Sequence, residues 1–142
     1  MVLNSRKGLT LYVLPLVLYC VGIFTLSSFP LPEMPSFGFD FQDKLNHLVA
    51  YFLMTILAYR AITWLRRKSQ LKRGELVLFA FLFVALYGAT DEIHQMFVPG
   101  RTADIFDWIA DCAGAVLAIP LLMKLPVKLL GYRPADYPRT AD

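Results

Sequence analysis

Polar side chains, an aspartate always among them, stand at helical spacing in three places of a largely apolar chain. Asp43, His47 and Tyr51 stand at i, i+4 and i+8, one face of a helix. Asp91, His94 and Gln95 stand at i, i+3 and i+4, with Glu92 rotated to one side, and Asp104, Asp107 and Asp111 follow i, i+3 and i+7. Histidine beside a carboxylate is the usual equipment for general acid–base work, which makes His47, Asp91, His94 and Asp107 the catalytic candidates. Asp43, Lys44, Tyr51, Glu92, Gln95, Arg101 and Asp111 are the candidates for holding a substrate, with Lys44 and Arg101 as anion partners. Asp91, His94 and Asp107 also offer nitrogen and oxygen ligands suited to a divalent metal, the one cofactor class that these residue types suggest. No HExxH, G-x-S-x-G or phosphatase-like Ser-Gly-His pattern accompanies them.

The elements that must position these groups are membrane spans. The 142 residues, about one domain's length, are 57% hydrophobic and 18% charged, with a mean hydropathy of +0.52. Soluble domains are nearer 45–50% apolar and about 25% charged. A helix needs about 20 mostly apolar residues to cross a bilayer. Four runs qualify, at about 9–29, 45–65, 76–96 and 104–125, with 126–142 as a tail. The expected fold is an all-α integral membrane four-helix bundle forming a single domain over 1–142. The first run exceeds a signal-peptide core and has no Ala-x-Ala exit, so it reads as a span.

Basic residues orient the chain. Arg6 and Lys7 precede span one, Arg66, Arg67, Lys68, Lys72 and Arg73 fill the second connection, and Lys124, Lys128, Arg133 and Arg139 end span four or follow it. The other connections hold only Lys44 and Arg101, so both termini are expected on the cytoplasmic side. A net charge of +3 spread this way serves anionic lipid rather than nucleic acid. Glu33, Asp40 and Asp43 then gather at the outer side with the three stripes. Cys20 and Cys112 lie in apolar runs and read as small hydrophobes.

Depth makes the stripes costly. With span four starting near Thr102, Asp111 lies about 13 Å along the helix at 1.5 Å per residue. Aspartate at a span's centre costs about 2.5–3.5 kcal/mol on insertion scales. Asp91 opposes the dipole near its helix C-terminus by about 0.3–1 kcal/mol. Plainer roles are open to some members: Asp104 as an N-cap, Asp107 as a first-turn acid, Asp43 as a cap, and Val98–Arg101 as a Pro-Gly turn. That turn makes spans three and four antiparallel neighbours. The Asp91/His94 stripe is therefore expected beside Asp107/Asp111, closed by span two into an outward-facing polar pocket.

The segments DKLNHLVAYF, DEIHQMFVPGR and DWIADCAGAVLA, in this order on this frame, resemble the VanZ-like family of small bacterial membrane proteins. The resemblance covers about 43–118 and fits the leading span. It implies a multi-pass protein of the bacterial cytoplasmic (inner) membrane, in a family whose founding member is associated with resistance to the antibiotic teicoplanin. Carried over by motif, the pattern positions are Asp43, Lys44, His47, Tyr51, Asp91, Glu92, His94, Gln95, Arg101, Asp107 and Gly114. The family pattern has Asn at Asp111 and Gly at Ala118. Three functions stay open: binding or modifying a cell-envelope component such as a cell-wall precursor, an acid–base or metal-dependent enzyme acting on a lipid-linked substrate, and a proton-coupled carrier.

Overall fold

The computed structural model describes residues 5–29, 41–69 and 71–124. Glu33, Asp40 and the expected tail fall outside them. Among the described residues every regular element is a helix, and four are long and apolar enough to span a membrane. The first, α1, runs through Ser5–Gly8, a π-helical turn at Leu9–Val13, and Leu14–Ser27. Pro15 sits in the first turn after that widened turn. Proline has no N–H to continue the ladder and crowds the preceding turn, which accounts for the widened turn just before it. The others are α2 (Phe41–Leu65), α3 (Arg73–Gln95) and α4 (Ile105–Lys124).

The bundle buries small residues together with a few tyrosines and aliphatic side chains, and exposes many leucines and phenylalanines. Tyr51, Met54, Ala58, Ala80, Val84, Ala115, Ala118 and Leu122 are fully or almost fully buried. Leu18, Leu86 and Leu117 lie on the exterior, where a bilayer solvates them. Lipid tails give helices no hydrophobic reason to associate, so close backbone approach and hydrogen bonds must hold the bundle. The most extensive contact joins α2 to α4. At its centre, Gly114 lies so near the Leu48 carbonyl that any Cβ would collide with that main chain.

Little of α1 is buried, and tyrosine hydroxyls help to attach it. Tyr19 Oη donates to the Ala50 carbonyl at 2.9 Å, and Tyr87 Oη donates to the Cys20 carbonyl at 2.6 Å. At the basic end, the Arg67 guanidinium lies 4.1 Å over the Trp64 ring and donates to the Trp64 carbonyl at 2.9 Å. Arg73 Nε donates to the Leu122 carbonyl at 2.9 Å, tying α3 to the end of α4. Arg60, on the same half of α2 as Trp64, lies over the Tyr12 ring at 5.7 Å.

Candidate functional site

All three stripes lie at the end of the bundle opposite the basic connection. This end is built by the C-terminal turns of α1 and α3 and the first turns of α2 and α4. Successive residues of a helix differ by about 100° in direction. Asp91 and Glu92 accordingly leave α3 on different sides, and the polar groups form two clusters.

The first cluster lies among α1, α2 and α3. Asp91 is buried, and its Oδ2 accepts from Ser27 Oγ at 2.9 Å, Gln95 Nε2 at 3.2 Å and Tyr51 Oη at 3.4 Å. Arg101 reaches over from the α3–α4 turn. Its Nε and Nη2 donate to the Phe29 and Leu26 carbonyls at 3.0 and 3.2 Å, satisfying the end of α1, and its Nη1 lies 3.5 Å from Gln95 Oε1. His94 also faces α1: its ring stacks on Phe24 with centroids 4.3 Å apart, and Nε2 lies 3.0 Å from Ser28 Oγ. The single Ser28 hydroxyl proton goes to the Phe24 carbonyl at 2.7 Å, so the histidine nitrogen is the donor to Ser28.

The second cluster lies among α2, α3 and α4. Lys44 Nζ binds Asp104 Oδ2 at 2.8 Å and Asp107 Oδ1 at 2.9 Å. Asp104 lies just before the α4 span, and its bond from Lys44 holds its carboxyl below the ordinary aspartate value. Its Oδ1 accepts from the Phe106 N–H at 2.9 Å, so it is the N-cap that its position suggests. His47 Nδ1 lies 2.9 Å from Oδ1 of the fully buried Asp111. Glu92 Oε2 accepts the Asp104 N–H at 2.8 Å. Gly88 makes room for Asp111: a Cβ there would stand 2.7 Å from Asp111 Oδ2 and 3.2 Å from the Tyr51 ring. Trp108 Nε1 donates to the Ala85 carbonyl at 2.9 Å beside it.

Tyr51 joins the two clusters. It stacks near His47, with ring centroids 6.2 Å apart, while its hydroxyl points to Asp91. Between α1, α2 and α3 opens a cleft of about 310 Å³. Ile23, Leu26 and Ala50 form an apolar wall, and Ser27, Asp43, Asn46, His47, Tyr51, Asp91 and Arg101 supply polar groups.

The structure thus gathers the predicted residues at one end but pairs them differently from the expectation. His94 meets Ser28 and Phe24 of α1, not the α4 aspartates, while Glu92 takes the place beside α4. Asp91, His94 and Asp107 accordingly do not form a ligand group. Among the described residues, the groups with ligand atoms within 4.8 Å of one another are Asp43/His47/Asp107 and His47/Glu92/Asp111. Asp43 itself is exposed and at the cleft. Sequence reasoning missed Ser27, Ser28 and Gly88. The visible signal was a pair of serines closing an apolar run, and a glycine one turn before Glu92.

The VanZ/LLP1 family model matches residues 13–127, spanning all four helices and both polar clusters. The chain belongs to that family. No curated protein and no solved structure gives a match. In this VanZ/LLP1 protein the three motifs of the resemblance occupy the first turns of α2, the last turn of α3 with the following turn, and the first two-thirds of α4. They are the segments that build the polar end. Gly114 has a packing role that its side-chain-free backbone explains.

Proposed function

We propose that this VanZ/LLP1 protein binds an amphipathic cell-envelope component in the cleft between α1, α2 and α3, at the outer face of the bacterial cytoplasmic membrane. The observation that carries this reading is the cleft's mixed lining. Ile23, Leu26 and Ala50 suit an acyl or prenyl stem, and the Asp43, Asn46, His47 and Arg101 side suits a polar head. Arg101 uses three of its five N–H donors on Leu26, Phe29 and Gln95, leaving two for a carboxylate or phosphate. The distribution of Lys and Arg supports the outward orientation. A bound cell-wall precursor would be altered or shielded from glycopeptides, and lowered susceptibility to teicoplanin would follow, as the family resemblance implies.

The test is teicoplanin susceptibility of cells expressing wild type, Asp91→Asn or Arg101→Ala at matched membrane levels. Protection by wild type that both substitutions abolish supports the reading. Equal susceptibility of all three strains, and of cells without the protein, overturns it.

A second reading, an enzyme acting on a lipid-linked substrate, is favoured by the His47–Asp111 pair. A carboxylate accepting from Nδ1–H leaves the Nε2 lone pair of a cleft-lining histidine as a general base. Turnover of a precursor-like substrate by purified protein, lost in His47→Gln, distinguishes it from binding alone.

A further inference from the structure

Two buried carboxylates of the second cluster are only half satisfied. Asp111 gives Oδ1 to His47, and Glu92 gives Oε2 to the Asp104 N–H. Asp111 Oδ2 and Glu92 Oε1 have no hydrogen-bond partner among the described residues. Asp111 is 0% exposed and Glu92 7%. Buried polar atoms are nearly always partnered, and an orphaned oxygen on each of these two carboxyl groups needs an explanation. Lys44, the ammonium of this cluster, is bonded to Asp104 and Asp107 and to neither of these two groups.

We propose that His47, Glu92 and Asp111 form a binding site for a divalent transition-metal ion, Zn²⁺ or Mn²⁺. One ring nitrogen and one oxygen from each carboxyl group lie within 4.8 Å of one another. Bonds of about 2.0–2.2 Å to a common ion bring any two ligand atoms to within about 4.4 Å, so small side-chain adjustments close the set. Two carboxylates and one imidazole suit Zn²⁺ or Mn²⁺ better than Ca²⁺ or Mg²⁺, which take oxygen ligands almost exclusively. The ion's double charge matches the two carboxylates. The three ligands come from three helices, so the ion ties α2, α3 and α4 together.

The neighbouring group Asp43/His47/Asp107 shares the histidine but is the poorer site. Asp43 is exposed, and Asp107 Oδ1 already holds the Lys44 ammonium, whose charge repels a cation. The proposed site does not depend on the envelope-ligand reading, and its test reads metal binding alone.

The experiment uses the full chain in lipid nanodiscs, stripped with chelator and dialysed against Zn²⁺, Mn²⁺, Mg²⁺ or Ca²⁺. Metal content and melting temperature are measured for wild type, Glu92→Gln, Asp111→Asn and Asp43→Asn. Wild type and Asp43→Asn are expected to retain about one Zn²⁺ or Mn²⁺ per chain and to melt higher with the ion. Glu92→Gln and Asp111→Asn are expected to bind at least about tenfold more weakly, a loss that even an outer-shell change at a metal site can bring. Glu92→Gln keeps the result readable if Asp111→Asn does not fold, since its oxygen still accepts the Asp104 N–H. Wild type that takes up no stoichiometric ion overturns the proposal. So does uptake lost in Asp43→Asn and retained in Glu92→Gln, which would move the ion to the neighbouring group.

Discussion

Asp91 and Glu92 are consecutive, both buried, and belong to different sites. Asp91 gathers Ser27 of α1, Tyr51 of α2 and Gln95 of its own helix, whereas Glu92 closes on the Asp104 main chain at the entrance to α4. One peptide unit of α3 therefore separates a cleft facing α1 from a carboxylate cluster facing α4.

Ser27→Ala removes the shortest of the three hydrogen bonds to the buried Asp91 carboxylate and replaces it with nothing. Leaving a buried acceptor short of a donor costs about 1–3 kcal/mol. A loss of stability in that range is expected in reversible unfolding from mixed micelles. Ser28→Ala, at a half-buried hydroxyl bonded back to its own helix, should cost less. Equal effects would show that the Ser27–Asp91 bond does not hold α1.

Gly114→Ala drives a methyl group into the Leu48 carbonyl at the α2–α4 contact. The two backbones must separate, and such overpacking costs about 1–3 kcal/mol. Gly22 on α1 has nothing within 4 Å, so Gly22→Ala is expected to stabilise by about 0.5–1 kcal/mol through the unfavourable helix propensity of glycine alone. Opposite signs for the two glycines, read in the same unfolding assay, are the result that the packing requires.

The Lys44–Asp104 bond gives a pH dependence with a definite sign. Lys44 holds the Asp104 carboxyl below its ordinary value of 3.8. A carboxyl with a depressed folded pKa adds stability above the unfolded value and loses it as pH falls through the folded one. The melting difference between wild type and Lys44→Met is therefore expected to stay constant above about pH 5 and to narrow below 3.8 as Asp104 protonates. Because the Asp104 side chain is 37% exposed, added salt should shrink the difference as well. A difference that widens in acid would contradict the pairing.

Orientation is checked by labelling single cysteines in a background where Cys20 and Cys112 are replaced. Ser69→Cys, in the basic connection between α2 and α3, is expected to react with a membrane-impermeant maleimide only in inverted vesicles. Thr102→Cys, exposed at the polar end, should react from outside in intact spheroplasts. The reverse pattern would place the cleft on the cytoplasmic side.

The helices were legible in the sequence because four long apolar runs admit little else. Their ends moved inward or outward by a few residues, as at α2, which begins at Phe41 rather than near Leu45 and so carries Asp43 in its first turn. The three polar stripes were legible as faces, since helical spacing fixes which side chains of one helix point together. Spacing does not fix which neighbouring helix a face meets. Asp91, His94 and Gln95 do form one stripe, but it meets α1 and α2, a choice set by how α3 is rotated in the bundle. Glu92, set apart from that stripe by the same geometry, became the α3 residue beside the α4 aspartates. Gly88 gave no hint of its role, because the space it leaves matters only once Asp111 is opposite.

The contrast between Gly114 and the two tyrosine hydroxyls divides the molecule mechanically. α2 and α4 touch backbone to backbone, while α1 is held by side chains, among them Tyr19, Tyr87, Ser27, His94 and Arg101. The cleft runs along the seam between that stiff pair and the tethered helix. Its width is therefore a property of α1 more than of the bundle, and an occupant of the cleft is expected to register first as a displacement of α1, with α2, backed by α4, serving as the fixed jaw.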